Sequence, residues 1–352
     1  MTIAIVALFT HISIKSNAKV SKKLHIYKFF RIFAAIMIVN QQETTPLVSF
    51  IIAYYELPAK MLCECLDSIL ALSLKPEERQ IIIVDDGSAH SPLPELDDYV
   101  NDVLFLRQKH QGLSVARNTG IRMATGRYLQ FVDADDQLIK SGYDHCLNLI
   151  RQHTDADMVL FEIDDEPPTS GTSFMRHHNI HGAAWSYLVR RATLSDLRFT
   201  PGIFHEDELF TPQLLIRAEV VYPTKANAYC YNKRPNSITT SMDGPHVEKR
   251  LTDLHQVIRE LKLMADRLPK NDQLAMERRV AQLTMDYLYN TIMLSRSLAV
   301  TRQCITQLRS EGLFPLPDRN YTTKYQWFRR LSNSKLGLAT LVKVLPLMKR
   351  ER

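Results

Sequence analysis

Between Gln111 and Asp136 the chain reads QGLSVARNTGIRMATGRYLQFVDADD. The stretch from Gly112 to Thr125 predicts a helix, and Tyr128–Val132 is an apolar run that stops at Asp133-Ala134-Asp135-Asp136. A short apolar run closed by polar residues is the pattern of a strand buried on both faces. The same ending occurs upstream, where Gln80–Val84 closes in Asp85-Asp86-Gly87-Ser88. Leu47–Tyr55 (LVSFIIAYY), Val103–Leu106 and Met158–Ile163 read as further strands. Helices are expected between them, one opened by Pro58 with Met61, Leu62, Cys65, Leu66, Ile69 and Leu72 at helical spacing, another over Lys140–His153. Strands alternating with helices predict a mostly parallel sheet with helices on both faces. Ligands of such sheets sit beyond the carboxyl ends of the strands, and both acidic clusters fall there.

After Trp185 the pattern is mixed: a helix from about Glu206 to Ala218, short strands near Val220 and over Ala228–Tyr231, then helices from His246 to Leu313. With 352 residues, 45 % of them hydrophobic, the chain is long enough for a substantial core and is neither collagen-like nor disordered. Its five cysteines, at 63, 65, 146, 230 and 304, show no paired zinc spacing and no disulfide framework. They are expected to be reduced thiols packed as small hydrophobes. The net charge of +6 is unevenly spread. Residues 1–45 hold six Lys/Arg against one Glu, residues 320–352 hold eight against Glu351, and the rest holds 30 basic against 36 acidic groups. A nucleic-acid footprint needs a basic face on the folded body; basic ends suit an anionic membrane surface better.

The apolar runs Thr2–Phe9 and Phe29–Val39 fall short of the roughly 18–20 residues that span a bilayer. The expectation is that the protein starts at Met37 and that the upstream stretch is an over-extended reading frame, a cramped membrane anchor being the other reading. In the tail, Trp327, Phe328, Leu331, Leu336, Leu338, Leu341, Val342, Leu345 and Leu347 alternate with Arg329, Arg330, Lys335, Lys343 and Lys349. One or two basic amphipathic helices follow, with Pro346 closing the register, either packed on the body or lying in a membrane interface.

Carboxylates as crowded as Asp133, Asp135 and Asp136 repel unless a positive charge sits among them. A hard divalent cation bound by one or two of them keeps positions open for diphosphate oxygens. Two rivals use the same residues. A phospho-receiver needs its acid pair on the first strand and a lysine after a later one, yet Leu47–Tyr55 comes first and no lysine lies between Lys140 and Lys225. A dinucleotide dehydrogenase needs G-x-G-x-x-G after a strand, and none is present.

Taken in order, VSFIIAYY (48–55), CLDSIL (65–70), IIIVDDGS (81–88), the 111–136 stretch, the W…F-x-x-G…ED region (185–207) and Y-x-K-R-x-N-S-I-T (231–239) resemble family 2 glycosyltransferases across roughly 190 residues. The resemblance implies the GT-A nucleotide-diphospho-sugar transferase fold, a Rossmann-like α/β sheet flanked by helices, over residues 46–242. Residues 1–45 would be an N-terminal extension and 243–352 a helical region ending in the basic tail. It also implies roles. Tyr55 and Asp86 cradle base and ribose, Asp85 holds their loop, Arg117 reaches the uridine or phosphates, and Asp133 touches the ribose. Asp135, with Asp133, binds Mn2+ or Mg2+. Asp136 shares one of those tasks or caps the next helix. Asp207 is the catalytic base, Glu206 orients it or the acceptor, and His205 is placed to contact the sugar. The chain departs from the family pattern at Ala53 (usually Pro), Glu56 (usually Asn) and His110 (usually an amide). The activity implied is inverting, metal-dependent transfer from a nucleotide-sugar, UDP-linked, to a glycan or lipid-linked glycan in surface-polysaccharide assembly at the cytoplasmic membrane face. Two alternatives stand beside it. A nucleotidyltransferase needs a Gly-rich triphosphate loop, where this chain has Tyr54-Tyr55-Glu56-Leu57-Pro58. A non-catalytic glycan-binding protein would have lost D-x-D or E-D, and both are present. His177, His178 and His181 lie in a polar stretch and are not expected to ligate metal.

Overall fold

Strand β1 (Val48–Tyr54) is uncharged, and every residue of it except Ala53 is buried. The computed structural model of the chain describes residues 45–234 and 244–348, so the expectations for the N-terminal extension, Met37 and the N-S-I-T stretch lie outside the described residues. β1 pairs in parallel with β2 (Arg79–Asp85) on one side and β4 (Tyr128–Asp133) on the other, and β3 (Val103–Arg107) extends the sheet beyond β2. Alternate residues of β1 and β2 enter opposite cores, as a period of two requires. Phe50, Ile52, Ile81 and Ile83 pack on α1 (Ala59–Leu70) and on α3 (Lys140–Gln152). Ile51, Ile82 and Val84 face α2 (Leu113–Met123). Helix α2 lies so close that a Cβ on Gly120 would sit 2.2 Å from Ile51 Cγ2.

The far half of the sheet departs from the simple alternation. The strand order is β3-β2-β1-β4-β7-β6-β8, with β7 (Tyr187–Arg190) antiparallel to both β4 and β6 (Met158–Leu160). The strand expected to reach Ile163 stops at Leu160 because Glu162 adopts a positive φ of 55° and turns the chain. Helices α4 (Gly171–His177), α5 (Arg191–Leu194) and α6 (Glu206–Arg217) follow, with β8 (Val221–Pro223) at the sheet's end. A separate ladder pairs β5 (Gln137–Leu138), just past the second acidic cluster, with β9 (Tyr229–Cys230).

Five helices complete the described chain: α7 (Gly244–Ala265), α8 (Lys270–Ser295), α9 (Leu298–Ser310), α10 (Thr323–Ser332) and α11 (Lys335–Met348). Their core, with Val257, Ile258, Leu261, Leu288 and Leu308 at its centre, also takes in Leu209 of α6. Tyr325 and Phe328 of α10 and Leu338, Leu341 and Val342 of α11 are buried in the same core, so one face of the tail packs on the body. Pro346 does not close α11 as expected. The helix continues through it to Met348, although a proline there has no N–H to give to the Val342 carbonyl. The five cysteines are free thiols, three of them buried.

Candidate active site

The register of the three central strands builds the site. Tyr54 lies beside Asp85, and Ala53 lies beside Asp133, so the two acidic clusters flank the end of β1 from opposite sides. On the β2 side, Asp85 is fully buried; its Oδ1 accepts from Ser88 N at 2.9 Å, and its carbonyl accepts from Gln108 N. Among the described residues its Oδ2 has no hydrogen-bond partner, and Arg107 Nε stands 3.4 Å away. The Asp86 carboxylate accepts from Gln108 Nε2 (2.7 Å), Gly112 N (2.7 Å) and Gln111 N, with His110 Nδ1 at 2.8 Å. Asp86 is therefore the organiser of the 108–112 loop. Gly87 admits that loop, because its φ is +80° and a Cβ there would lie 2.7 Å from His110 N. Held this way, the His110 ring stacks on Tyr55 at 4.1 Å, and Tyr55 is 44 % exposed.

On the β4 side the three aspartates separate into distinct environments. Asp136 is fully buried, accepting from Tyr229 OH and from Asn232 N, both at 2.8 Å. Burial pushes its carboxyl up to about 7; the Asn232 bond opposes that and the Asp133 charge adds to it. It is a tie to the 229–232 segment rather than an open ligand. Tyr229 OH also receives a bond from Asp133 N at 3.0 Å. The Asp135 carboxylate pairs through Oδ2 with Arg234. Asp133, about a third exposed, accepts at Oδ1 from Arg117 Nη2 at 2.8 Å. Among the described residues, each of these last two keeps one oxygen outside any hydrogen bond or ion pair. Two hard carboxylate oxygens suit Mg2+ or Mn2+, which complete their shell with water and phosphate. Among the described residues no group of three or more His, Cys, Asp or Glu forms a self-sufficient metal site.

Arg117 joins the sheet to helix α6. Its side chain is nearly buried, Nη2 donating to Asp133 and Nη1 to Glu206 Oε1 at 2.7 Å, with the guanidinium over the Phe199 ring. The neighbouring Asn118 exchanges two hydrogen bonds with the Phe199 backbone and so fixes the loop leading to α6. Phe204 N donates to Asp253 of α7, and His205 enters α6 in a left-handed conformation. The first turn of α6 then holds three acids with three fates. Glu206 faces Arg117. Glu208 pairs with the buried Arg279 of α8. Asp207 has no ion-pair partner among the described residues; its Oδ1 accepts only from Glu208 N. Burial pushes the Glu206 carboxyl up to about 7, the Asp207 charge adds to this, and Arg117 pulls it back. Burial works against the Arg117 charge, but Asp133, Glu206 and Asp207 outweigh it and hold the guanidinium above its ordinary value. One buried guanidinium thus serves several carboxylates, leaving a local excess of negative charge.

The sequence-predicted residues accordingly lie at the C-terminal ends of the central strands, on α2 and at the start of α6, with Arg117 linking Asp133 to Glu206. Sequence reasoning passed over Asn118, Tyr229, Asn232 and Arg234 as positioning residues, although all four lay in or beside quoted motifs. Trp185 stacks on Tyr229 at 4.4 Å. Burial lowers the His205 and His181 imidazoles below their ordinary value, with Asp207 opposing in both. His178 pairs with Glu166 and His177 with the Ser173 carbonyl, so the histidines do not converge.

The C-terminal ends of β1, β2 and β4 thus carry two carboxylate clusters, joined through Arg117 to the acidic first turn of α6. Residues 49–207 match the family Glycosyl transferase family 2, and this segment of the chain is similar to its members. EpsJ of Bacillus subtilis (strain 168), described as an uncharacterized glycosyltransferase, is 29 % identical over 237 residues, covering 60 % of this chain and 68 % of EpsJ. The minor teichoic acid biosynthesis protein GgaB of the same organism is 31 % identical over 107 residues, 29 % of this chain and 12 % of GgaB. The fold is similar to S. aureus TarS 1–349 in complex with UDP-GlcNAc, with a TM-score of 0.61 at 19 % identity, covering 86 % of this chain and 91 % of that one.

Proposed function

We propose that this glycosyltransferase is inverting and metal-dependent, moving a sugar from a UDP-sugar to a glycan or lipid-linked glycan acceptor in surface-polysaccharide assembly. The observation that carries the reading is the Arg117 bridge, which brings the Asp133 end of the sheet and the first turn of α6 into one site. TarS, similar in fold, is known with UDP-GlcNAc, and GgaB acts in teichoic acid synthesis by its name; both support the donor and acceptor classes. Residues 46–242 are read as the transfer domain and 243–352 as a helical region. The tail supports a peripheral place at the inner membrane face: between Arg319 and Met348 the chain has six Lys/Arg and no acid.

In this mechanism Asp207, the acid of α6 left without an ion-pair partner among the described residues, takes the proton of the acceptor hydroxyl as its oxygen attacks the anomeric carbon. The bond from that carbon to the diphosphate breaks, and the nucleoside diphosphate leaves. Glu206, fixed by Arg117, holds the first turn in place. Tyr55 and His110 present rings to the base. Asp135 and Asp133 would hold a divalent cation, whose charge offsets that on the diphosphate. The test is nucleotide release from UDP-, GDP- and dTDP-sugars with Mn2+ or EDTA. Release from UDP-sugars that EDTA and Asp135→Ala both abolish is expected; release indifferent to both overturns the metal dependence, and preference for another nucleotide overturns the donor.

A further inference from the structure

Helix α11 is apolar on two sides, and the body covers only one of them. Leu338, Leu341 and Val342 are buried in the C-terminal core. On the other side Leu336 is 86 % exposed, Leu347 61 % and Val344 42 %, and with Thr340 and Lys343 they occupy one arc of about 100° at 3.6 residues per turn. Trp327 of α10 is exposed too, with Arg330 over its ring. The exposed charges that interleave with these residues, Lys324, Arg330, Lys335 and Lys343, are all positive. Water gives no reason to keep leucines at these positions, since each would be more stable buried by about 1.5–3 kcal/mol.

We infer that the outer face of α11, with Trp327, is an interfacial docking surface for an anionic lipid bilayer, its leucines entering the acyl boundary and its lysines meeting lipid phosphates. Charge selects this occupant. A symmetric contact of this face with the same face of a second copy would set like charge against like, whereas an anionic leaflet complements a face devoid of acids. Exposed tryptophan beside basic residues is the composition that such interfaces favour. The inference deepens the membrane location proposed above and rests on it, but it does not depend on the transfer chemistry. It also orients the enzyme, because α11 belongs to the same core as Leu209 of α6.

The test is flotation of the full chain with vesicles of phosphatidylglycerol and phosphatidylcholine in equal parts, against phosphatidylcholine alone. The wild type is expected to float with the first only. Leu336→Gln/Leu347→Gln should lose roughly tenfold or more in partitioning, and Lys335→Glu/Lys343→Glu should lose about tenfold. The altered side chains are exposed, so circular dichroism and UDP binding should stay at wild-type values. If the wild type floats and both double variants float equally well, this face is not the docking surface and the inference falls, while the location stands. If the wild type does not float, both fall. A wild-type dimer by light scattering that Leu336→Gln/Leu347→Gln makes monomeric assigns the face to a second copy and also overturns the inference.

Discussion

Replacing Arg117 by Met keeps most of the side chain's apolar volume and removes the charge that Asp133 and Glu206 share. The Glu206 half of the bridge is the more sheltered, with side chains 5 % and 10 % exposed, whereas Asp133 is 30 % exposed and solvent screens it in part. Removing one partner of a buried pair costs about 3–5 kcal/mol, because the carboxylate left behind is neither solvated nor compensated. The partial exposure of Asp133 places the expectation at the lower end, about 3 kcal/mol, or a urea midpoint lower by roughly 1 M. The assay is urea unfolding followed by circular dichroism, run as a double-mutant cycle with Glu206→Gln. In the Glu206→Gln background no carboxylate is orphaned at that position of α6, so Arg117→Met should cost at least about 1 kcal/mol less. A cost below about 1 kcal/mol, typical of a surface pair, or the same cost in both backgrounds, would refute the claim that Arg117 holds sheet and helix together through charge.

Further outcomes follow from the same geometry. The Glu206 carboxyl is raised in the folded state, so the native protein binds the extra proton; relative to Glu206→Gln, wild-type stability should be highest below about pH 4.5 and decline as the pH rises through about 7, read as Tm against pH. Asp207→Asn should lower transfer by roughly 10²–10⁴-fold while leaving UDP affinity unchanged, measured by product formation and calorimetry; equal activity removes it as the base. Tyr229→Phe strips partners from Asp136 and from Asp133 N and should cost about 1–3 kcal/mol in chemical denaturation. His110→Ala removes the ring stacked on Tyr55 and should weaken UDP binding by roughly tenfold, with inorganic pyrophosphate binding unaltered.

The central strands were legible because both faces are buried. Ile51 and Ile52 go to opposite cores, so neither position tolerates a polar residue, and an unbroken apolar run results. β7 was not, since four residues pairing antiparallel between two other strands carry no periodicity long enough to read. The acidic clusters announced themselves by composition, but the division of labour within them did not. Which of Asp133, Asp135 and Asp136 is walled off depends on the β5–β9 ladder, a pairing of residues more than 90 positions apart. Arg117 was singled out through the resemblance, to reach the uridine or phosphates; its bond to Glu206, 89 residues away, is visible only in the tertiary structure. The tail's basic and apolar residues were plain in the sequence. Which leucines stay in water was not, because α11 has apolar residues on two sides and packing covers just one.

Of the three consecutive acids at the start of α6 the outer two are tethered in opposite directions, Glu206 to the sheet through Arg117 and Glu208 to α8 through Arg279, with Asp207 between them. The arrangement works like the pin of a hinge whose two leaves are bolted to it. Neither layer can swing without dragging that middle residue along. Grafting the helical half of a relative onto this sheet, as one would to change what the enzyme decorates, should therefore succeed only when the graft brings a guanidinium where Arg279 stands.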